Sequence, residues 1–295
     1  MKFKDPMTPW KLMAGSVAMA LVGLANLTGT TTVLSAEPKQ QITLASEVTW
    51  TPLNRARGAQ SPMAGNLWGD RAGAGATGFL VSFVDGFTSP PHIHNVTYRG
   101  VVISGLLHND DPGAANMWMP PGSYWTQPAG EAHITSAKGA TNVAYIEIER
   151  GPYLVHPVDQ AADNGERPIN IHQSNLVWQD SSSATWIAKS ATDVKIAFLW
   201  GKPENDQLNG TLVKLPRAFT GKLRGQGASL RAVVIKGRLN YKLPAESQTS
   251  SLQPGAYFGS DGQSEHSISC EEDSDCLVYV RSEGEFKIMG TGSSQ

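Results

Sequence analysis

The sequence predicts an all-β protein that contains two antiparallel jelly-roll barrels in tandem. After position 36 the apolar residues fall in short runs of β-forming residues, among them 78–83, 99–104 and 142–148, and Gly, Pro, Asn and Asp separate these runs. No long stretch in this part of the chain has apolar residues at helical spacing. The same pattern then occurs a second time. Two copies of one closed barrel account for these three observations.

An internal repeat supports the two copies. Trp68 and the glycine that follows it recur as Trp200 and its glycine, 132 residues later. The segment 101–105, VVISG, recurs at the same offset as VVIKG at 233–237. The repeat length is close to that of one barrel. We therefore predict duplicated domains joined by a short connection.

The connection is predicted where the strand pattern stops. Polar residues, Gly and Pro interrupt the β-forming runs between 158 and 168. The sequence therefore predicts an N-terminal barrel at 37–157, a linker at 158–168 and a C-terminal barrel at 169–295.

The first 36 residues have the features of a secretory signal peptide. Lysines at positions 2, 4 and 11 precede an apolar stretch at 12–27, and Ser35-Ala36 ends a segment of small residues. The alternative is an uncleaved membrane anchor, but the apolar run is shorter than the roughly 20 residues that a spanning helix needs. We expect a periplasmic or secreted protein that does not interact with a membrane once the leader is cleaved.

Two segments about forty residues apart carry three histidines that could share a metal. His92 and His94 are two residues apart, so on a β-strand their side chains point to the same face. His133, on another strand, would complete a set of three imidazoles. The alternative is a polar loop at the barrel rim, with the histidines hydrogen-bonded to backbone groups.

Both segments resemble the two motifs of the cupin superfamily. The positions in register are Gly86, His92, His94 and Gly105 in the first motif, and Gly122, Pro128, Gly130 and His133 in the second. Tyr98 occupies the position of the Glu ligand that many cupins use, and Ala137 replaces the Asn of the second motif. The resemblance identifies the chain as a bicupin, similar to uncharacterised exported cupin proteins and to the cupin domains of anti-sigma regulators.

The resemblance implies one divalent transition metal held by His92, His94 and His133. Imidazole binds zinc, iron, manganese and copper, so the ligand type does not identify the metal. Export favours zinc, copper or manganese, because ferrous iron is harder to keep reduced outside the cytoplasm.

The second copy is predicted to lack the metal. At the offset of 132, Arg224 stands for His92, Gln226 for His94 and Leu230 for Tyr98, whereas His266 keeps the place of His133. An arginine has no lone pair to give to a metal. The C-terminal barrel is therefore expected to be a structural brace or, as the less favoured alternative, a pocket that binds an anion through Arg224.

Four further residues are candidates for catalysis or ligand binding. Tyr98 could bind the metal as a phenolate or hydrogen-bond a bound ligand. Glu147 alternates with apolar residues on a face that is either solvent or barrel interior; solvent is favoured, and an interior carboxyl would be an acid/base candidate. Tyr98 and Glu147 are the predicted catalytic residues, and Arg99 and Trp125 are predicted to bind the ligand.

The two cysteines, Cys270 and Cys276, flank a short acidic loop. In an exported protein this spacing predicts a local disulfide at the end of a hairpin. A cysteine metal site is the alternative, but no second Cys or His pair supports it.

The formal net charge of −2 provides no basic surface for a phosphate backbone, so nucleic acid is not an expected partner. The expected partner is a small molecule, and a homodimer is compatible with the sequence. Because cupins include both enzymes and binding proteins, two functions remain. The first is a dioxygenase-like, metal-dependent oxidoreductase that acts on a small oxygenated molecule. The second is a protein that binds or senses a small ligand or metal without turnover.

Overall fold

The computed structural model describes residues 39–202, 204, 206–243 and 247–291. The predicted leader at 1–36 lies outside the described residues. In the described part the chain forms twenty β-strands and four short 3-10 helices, so the prediction of an all-β fold is confirmed. No helix in these ranges is long and apolar enough to cross a membrane.

The strands of the first half are β1 (Gln40–Thr43), β2 (Thr51–Pro52), β3 (Met63–Trp68), β4 (Thr77–Phe83), β5 (Ile93–His94), β6 (Tyr98–Asp110), β7 (Tyr124–Gln127), β8 (Ile134–Ile148) and β9 (Val155–His156). Those that follow are β10 (Ile169–Ile171), β11 (Lys195–Gly201), β12 (Leu208–Leu215), β13 (Thr220–Gly225), β14 (Ser229–Lys236), β15 (Leu239–Lys242), β16 (Ser250–Leu252), β17 (Tyr257–Asp261), β18 (Ser264–Cys270), β19 (Cys276–Glu283) and β20 (Phe286–Gly290). The 3-10 helices are η1 (Ala45–Glu47), η2 (Arg55–Gln60), η3 (Val158–Gln160) and η4 (Gln173–Asn175).

The N-terminal barrel contains a seven-stranded sheet in the order β10-β7-β6-β8-β4-β3-β2 and the two-stranded ribbon β5-β9. Strands β6 and β8 are long, and their pairing shifts register on both sides of Ser104. Such bulges bend a strand, so that one pair of strands can contribute to both layers of a barrel. Gly105 lies beside the second shift with φ of +75°, a conformation that favours glycine.

The C-terminal barrel contains a six-stranded sheet, β1-β17-β14-β19-β12-β11, and a five-stranded sheet, β16-β15-β18-β13-β20. In the first barrel β6 is one long, bent strand, whereas the equivalent segment of the second barrel is divided into two strands, β14 and β15. Gly237, the repeat equivalent of Gly105, has φ of +78° and separates β14 from β15. The prediction of two jelly-roll barrels is confirmed.

One strand from each half pairs with a sheet of the other half. β1 pairs antiparallel with β17, and β10 pairs antiparallel with β7. The first described strand therefore belongs by hydrogen bonding to the C-terminal sheet, although the sequence predicted all of 37–157 as the N-terminal barrel. The predicted linker at 158–168 contains η3 and otherwise irregular structure.

Apolar side chains form three core clusters. One fills the N-terminal barrel around Phe79, Val102 and Ile148, and a second fills the C-terminal barrel around Phe258 and Phe286. The third lies between the two barrels, where residues of β3, β4, β6 and β8 pack against residues of β12, β14, β17 and β19. This third core joins the two halves over a continuous apolar surface.

The structure contains the disulfide between Cys270 and Cys276, which joins the end of β18 to the start of β19. Both cysteines are buried.

Candidate metal centre

Two short strand segments bring three histidines together inside the N-terminal barrel. His94 ends β5, and His92, just before β5, forms an antiparallel bridge with His133, their backbone amides and carbonyls bonding at 3.0 Å in both directions. The ring centres of His92 and His133 are 4.3 Å apart, and those of His94 and His133 are 5.2 Å apart. One ring nitrogen of each histidine lies within 4.8 Å of the others. Among the residues that the structure describes, no other group of three potential ligands has this arrangement.

Backbone carbonyls orient all three imidazoles. The Nδ1 atom of His92 lies 2.9 Å from the Pro90 carbonyl oxygen, and that of His94 lies 3.0 Å from the Leu154 carbonyl oxygen. The Nδ1 atom of His133 lies 3.2 Å from the carbonyl oxygen of Glu131. A carbonyl only accepts, so each Nδ1 carries the proton and donates it. Each Nε2 therefore keeps its lone pair, which is the tautomer that a metal ligand needs.

Burial keeps these rings neutral. His94 and His133 are almost fully buried, and His92 is partly buried. Desolvation, the largest cause, lowers the pKa of His133 to about 3 and that of His94 well below its usual value, and the neighbouring imidazoles lower both further. Desolvation also lowers the pKa of His92. Neutral imidazoles bind metals, whereas protonated ones do not, so the rings are ready to bind a metal at neutral pH.

Tyr98 occupies the position of the missing acidic ligand and contacts the site with a neutral hydroxyl. The hydroxyl donates to Asn109 Oδ1 at 2.9 Å and lies 3.3 Å from His133 Nε2. Asn109 Oδ1 also accepts from Thr135 Oγ1 at 2.8 Å, and Asn109 Nδ2 donates to Gln127 Oε1 at 2.9 Å. Burial strongly raises the pKa of Tyr98. The structure thus places the residue as a hydrogen-bond donor beside the histidines.

Tyr153 is a residue of the site that the sequence reasoning missed. Its hydroxyl donates to His94 Nε2 at 3.1 Å, and its ring stacks on the His94 ring with centres 4.3 Å apart. It follows β8 in the segment that turns back to form β9, and the next residue, Leu154, supplies the carbonyl that orients His94. Neither residue belongs to the two motifs, so spacing alone did not identify them.

A cavity of about 440 Å³ opens beside the histidines. His92, His94, Tyr98 and Tyr153 line it, and so does Trp125. Trp125 is buried, with its ring edge-on to Tyr98 at a centre-to-centre distance of 6.5 Å. The structure thus places Trp125 where the sequence predicted a ligand-binding residue.

Arg99 does not lie in this cavity, and the prediction that it binds a ligand there is corrected. Neighbouring residues on β6 face opposite sides of the sheet, so Tyr98 faces the histidines and Arg99 faces the other barrel. The Arg99 guanidinium stacks over the Trp200 ring at 3.7 Å and pairs with Glu149 at 2.7 Å.

Glu147 is also absent from the cavity, which corrects its predicted catalytic role at the metal. It pairs with Arg99 across β6 and β8 and shares that outward face. The sequence favoured solvent for this face, but Glu147 is only 1% exposed. Its carboxylate accepts from the Tyr145 hydroxyl at 3.0 Å and from the Tyr279 hydroxyl at 2.7 Å.

The Glu147 carboxylate lies in the core between the barrels. Arg281 Nε is 3.9 Å from it and is itself buried. Burial raises the pKa of the carboxyl, and the arginine opposes that shift. Since Tyr279 and Arg281 belong to the second barrel, this group joins the two halves of the protein and does not face a ligand.

Among the described residues of the second barrel, no cluster of metal ligands surrounds the corresponding position. His266 is fully buried, with Nδ1 2.8 Å from the Tyr241 hydroxyl and Nε2 3.1 Å from the Ser260 hydroxyl. Leu223 pairs with His266, as His92 pairs with His133. The pairing makes Leu223 and Gly225 the counterparts of His92 and His94.

This pairing corrects the predicted equivalence of Arg224 with His92 and of Gln226 with His94. It differs by one residue from the offset of 132, and a one-residue change moves a side chain to the other face of a strand. Arg224 is accordingly exposed and pairs across the sheet with Glu265. It does not face the barrel interior.

The residues of the first barrel fit a divalent transition metal. Three neutral imidazoles with fixed Nδ1 donors form a borderline-soft donor set of the kind that binds zinc, iron, manganese, copper or nickel. His92, His94 and His133 would hold the ion, and the cavity leaves room for further ligands.

Two tandem cupin-type barrels, one with a three-His cluster, define the class of protein. The chain belongs to the family described as domain of unknown function DUF4437, whose model matches residues 41–289. No curated protein matches the chain.

Solved structures share the fold at low sequence identity. A candidate dioxygenase from Nostoc punctiforme superimposes with a TM-score of 0.62 at 15% identity, covering 84% of this chain and 83% of that one. Salicylate 1,2-dioxygenase from Pseudaminobacter salicylatoxidans gives 0.55 at 14% identity, covering 90% and 92%. Oxalate decarboxylase from Lactobacillus farciminis gives 0.55 at 10% identity, covering 85% and 88%. At these identities the similarity shows the fold.

Proposed function

We propose that the protein is an exported, metal-dependent enzyme of the dioxygenase type that acts on a small oxygenated molecule. One observation carries the proposal. Three neutral imidazoles, two of them buried and one partly buried, have their Nδ1 protons fixed on backbone carbonyls, so that their Nε2 lone pairs are left for one metal beside an open cavity. A bound metal would supply Lewis-acid or redox chemistry at this position.

The residues around the histidines are suited to binding and orienting a substrate. Tyr98 and Tyr153 place neutral hydroxyls within 3.3 Å and 3.1 Å of the Nε2 atoms of His133 and His94. Once a metal takes the Nε2 lone pair of His94, the Tyr153 hydroxyl is released to donate to an oxygen atom of a substrate. The Tyr98 proton is donated to Asn109 Oδ1, so the Tyr98 oxygen is an acceptor beside the metal. The lining residues of the cavity include no Asp or Glu, so no carboxylate is placed there as a general base. Chemistry at the metal that needs no protein carboxylate fits this arrangement best.

Relatives of the fold include a candidate dioxygenase and a salicylate 1,2-dioxygenase, which favours oxygen chemistry over other activities. Export is proposed from the leader-like sequence at 1–36.

The alternative is a protein that binds or senses a small ligand without converting it. The absence of a carboxylate from the cavity lining is the observation in its favour, since hydrolytic and isomerising enzymes commonly use one. A closed metal site would favour the alternative further, but the cavity leaves this site open to ligands.

Metal analysis of the purified mature protein tests the proposal. We expect close to one metal ion per chain, and loss of nearly all of it in His92→Ala. His172→Ala is the matched control, because His172 caps η4 outside the cavity. Metal retained undiminished in His92→Ala would overturn the proposed centre.

Oxygen consumption separates the two functions. The iron-loaded protein is supplied with gentisate and with oxalate, and dissolved oxygen and products are followed together. Oxygen uptake that depends on His92 supports the enzyme. A probe that binds, is recovered unchanged and consumes no oxygen supports the binding protein.

A further inference from the structure

Much of the cavity wall beside the three histidines is apolar. Val81, Phe83, Phe87, Ile146 and Leu154 are among the residues that line it. An apolar cavity of about 440 Å³ is large enough for a small ligand with a ring-sized body. Small polar anions would leave most of this wall in contact with water, which gives no hydrophobic gain on binding.

Among the described residues that line the cavity, Arg57 is the only one with a charged side chain at neutral pH. Its guanidinium lies 4.9 Å from the centre of the Phe87 ring, and its Nη2 donates to the Thr88 carbonyl oxygen at 3.3 Å. No ion pair joins Arg57 to an acidic side chain within the described residues. The positive charge of Arg57 therefore has no counter-charge from the protein.

A metal in this site would have no counter-charge either. Three neutral imidazoles contribute no negative charge to a divalent cation, and no Asp or Glu lines the cavity. A partly buried cation without a counter-charge is costly unless a ligand supplies one. With a metal bound, the cavity would have two sources of positive charge, and the described lining residues supply no negative charge.

We infer that the ligand of this cavity is a monocarboxylate with an apolar, ring-sized body, whose negative charge is recognised by the metal and by Arg57. The inference rests on the proposed metal centre and deepens it by naming a substrate class. The carboxylate accounts for the uncompensated positive charge, and the apolar body accounts for the wall.

Three probes test the two parts of this inference separately. Benzoate combines charge with an apolar ring, benzamide keeps the ring without the charge, and acetate keeps the charge without the ring. Binding to the mature, zinc-loaded protein is measured by calorimetry, because zinc avoids redox turnover. We expect benzoate to bind about tenfold or more tightly than benzamide, since truncating a buried charge pair has large effects. We expect a similar margin over acetate from burial of the ring.

The role of Arg57 is tested with Arg57→Gln and a matched control. Arg55 lies in the same 3-10 helix but is exposed and does not line the cavity, so Arg55→Gln serves as the control. Arg57→Gln is expected to weaken benzoate binding about fivefold or more and to leave benzamide binding unchanged, because only the charged probe pairs with the guanidinium. Arg55→Gln is expected to match the wild type with both probes. Zinc content is measured in every protein.

The outcomes distinguish this inference from the proposed function. Stoichiometric zinc with equal binding of benzoate and benzamide would overturn the inference and leave the metal centre in place. Unchanged benzoate binding in Arg57→Gln would overturn the assigned role of Arg57. A wild-type protein that binds neither zinc nor iron would overturn the proposed function together with the inference.

Discussion

The two barrels keep one histidine at the same place and use it differently. In the first barrel, His133 faces His92 and His94, and its Nε2 has only the distant hydroxyl of Tyr98 at 3.3 Å. In the second barrel, His266 has a hydroxyl at each ring nitrogen, 2.8 Å and 3.1 Å away. One retained imidazole therefore does not make a metal site. The identity of the residues on the facing strand decides whether the ring is a ligand or a hydrogen-bonded part of the core.

Removing the shared histidine from each barrel is the change with the largest expected effect. His133→Asn should reduce the metal content to below about a tenth of the wild-type value, because two imidazoles alone bind a divalent ion weakly. His266→Asn should leave the metal content unchanged. Both proteins are dialysed against a weak chelator before elemental analysis. Equal metal content in the two variants would show that the two barrels do not differ in the predicted way.

The carboxylate between the barrels gives the next largest effect. Glu147→Gln should lower the free energy of unfolding by about 3 kcal/mol, because Arg281 is then buried without a counter-charge. Urea denaturation measures the change. The control is Glu149→Gln, just past the end of β8, where the carboxylate is half exposed and its loss should cost less than about 1 kcal/mol. Equal losses in both variants would mean that the buried group does not join the barrels energetically.

The buried His266 should make stability depend on pH. Desolvation lowers its pKa to about 4, so the folded protein keeps the ring neutral while the unfolded chain takes up a proton below about pH 6.5. Stability is therefore lost as the pH falls from about 6.5 to about 4, by about 2 kcal/mol between pH 7 and pH 4.5.

Metal-free His266→Gln should lose less stability between pH 7 and pH 4.5 than the metal-free wild type. Urea midpoints at the two pH values measure the difference. If the urea midpoint of His266→Gln fell between the two pH values as much as that of the wild type, His266 would not be the source of this pH dependence.

Removal of the Tyr98 hydroxyl gives the smallest expected effect. Leu230, the counterpart of Tyr98 in the second barrel, has no such hydroxyl. Tyr98→Phe should lower the free energy of unfolding by about 1 kcal/mol, the typical net value of one hydrogen bond. Asn109 keeps its other donor, Thr135, so the network is not lost. The metal content should stay the same, since the hydroxyl is a neutral donor. Loss of the metal would instead identify Tyr98 as a phenolate ligand.

The sequence was sufficient to predict the fold and the residues of the histidine cluster, because both depend on short-range patterns. Alternation along a strand determines that His92 and His94 share a face, and the spacing of His133 follows from the fold that the motifs indicate. Tyr153 and the Leu154 carbonyl could not be found in this way. They approach His94 through a segment about sixty residues away that carries no motif.

The errors have two physical causes. The constant offset of 132 in the sequence makes Arg224 the equivalent of His92, whereas strand pairing shifts the equivalence by one residue and turns the Arg224 side chain outward. The sequence favours solvent for Glu147 because alternation distinguishes the two faces of a strand but does not show what covers each face. The covering residues, Tyr279 and Arg281, belong to the other barrel and lie more than 130 positions away.

The exchange of edge strands has a consequence for dividing this protein. Cutting the chain at 158–168 would leave β1 in the N-terminal fragment, apart from its partner β17. It would also leave one edge of β7 unpaired, because β10 lies in the C-terminal fragment. Each fragment would expose unpaired backbone amides and carbonyls along a sheet, a surface that promotes aggregation. The two barrels share a sequence repeat, yet one sheet of each half takes an edge strand from the other, so the chain has to be produced and engineered as one piece.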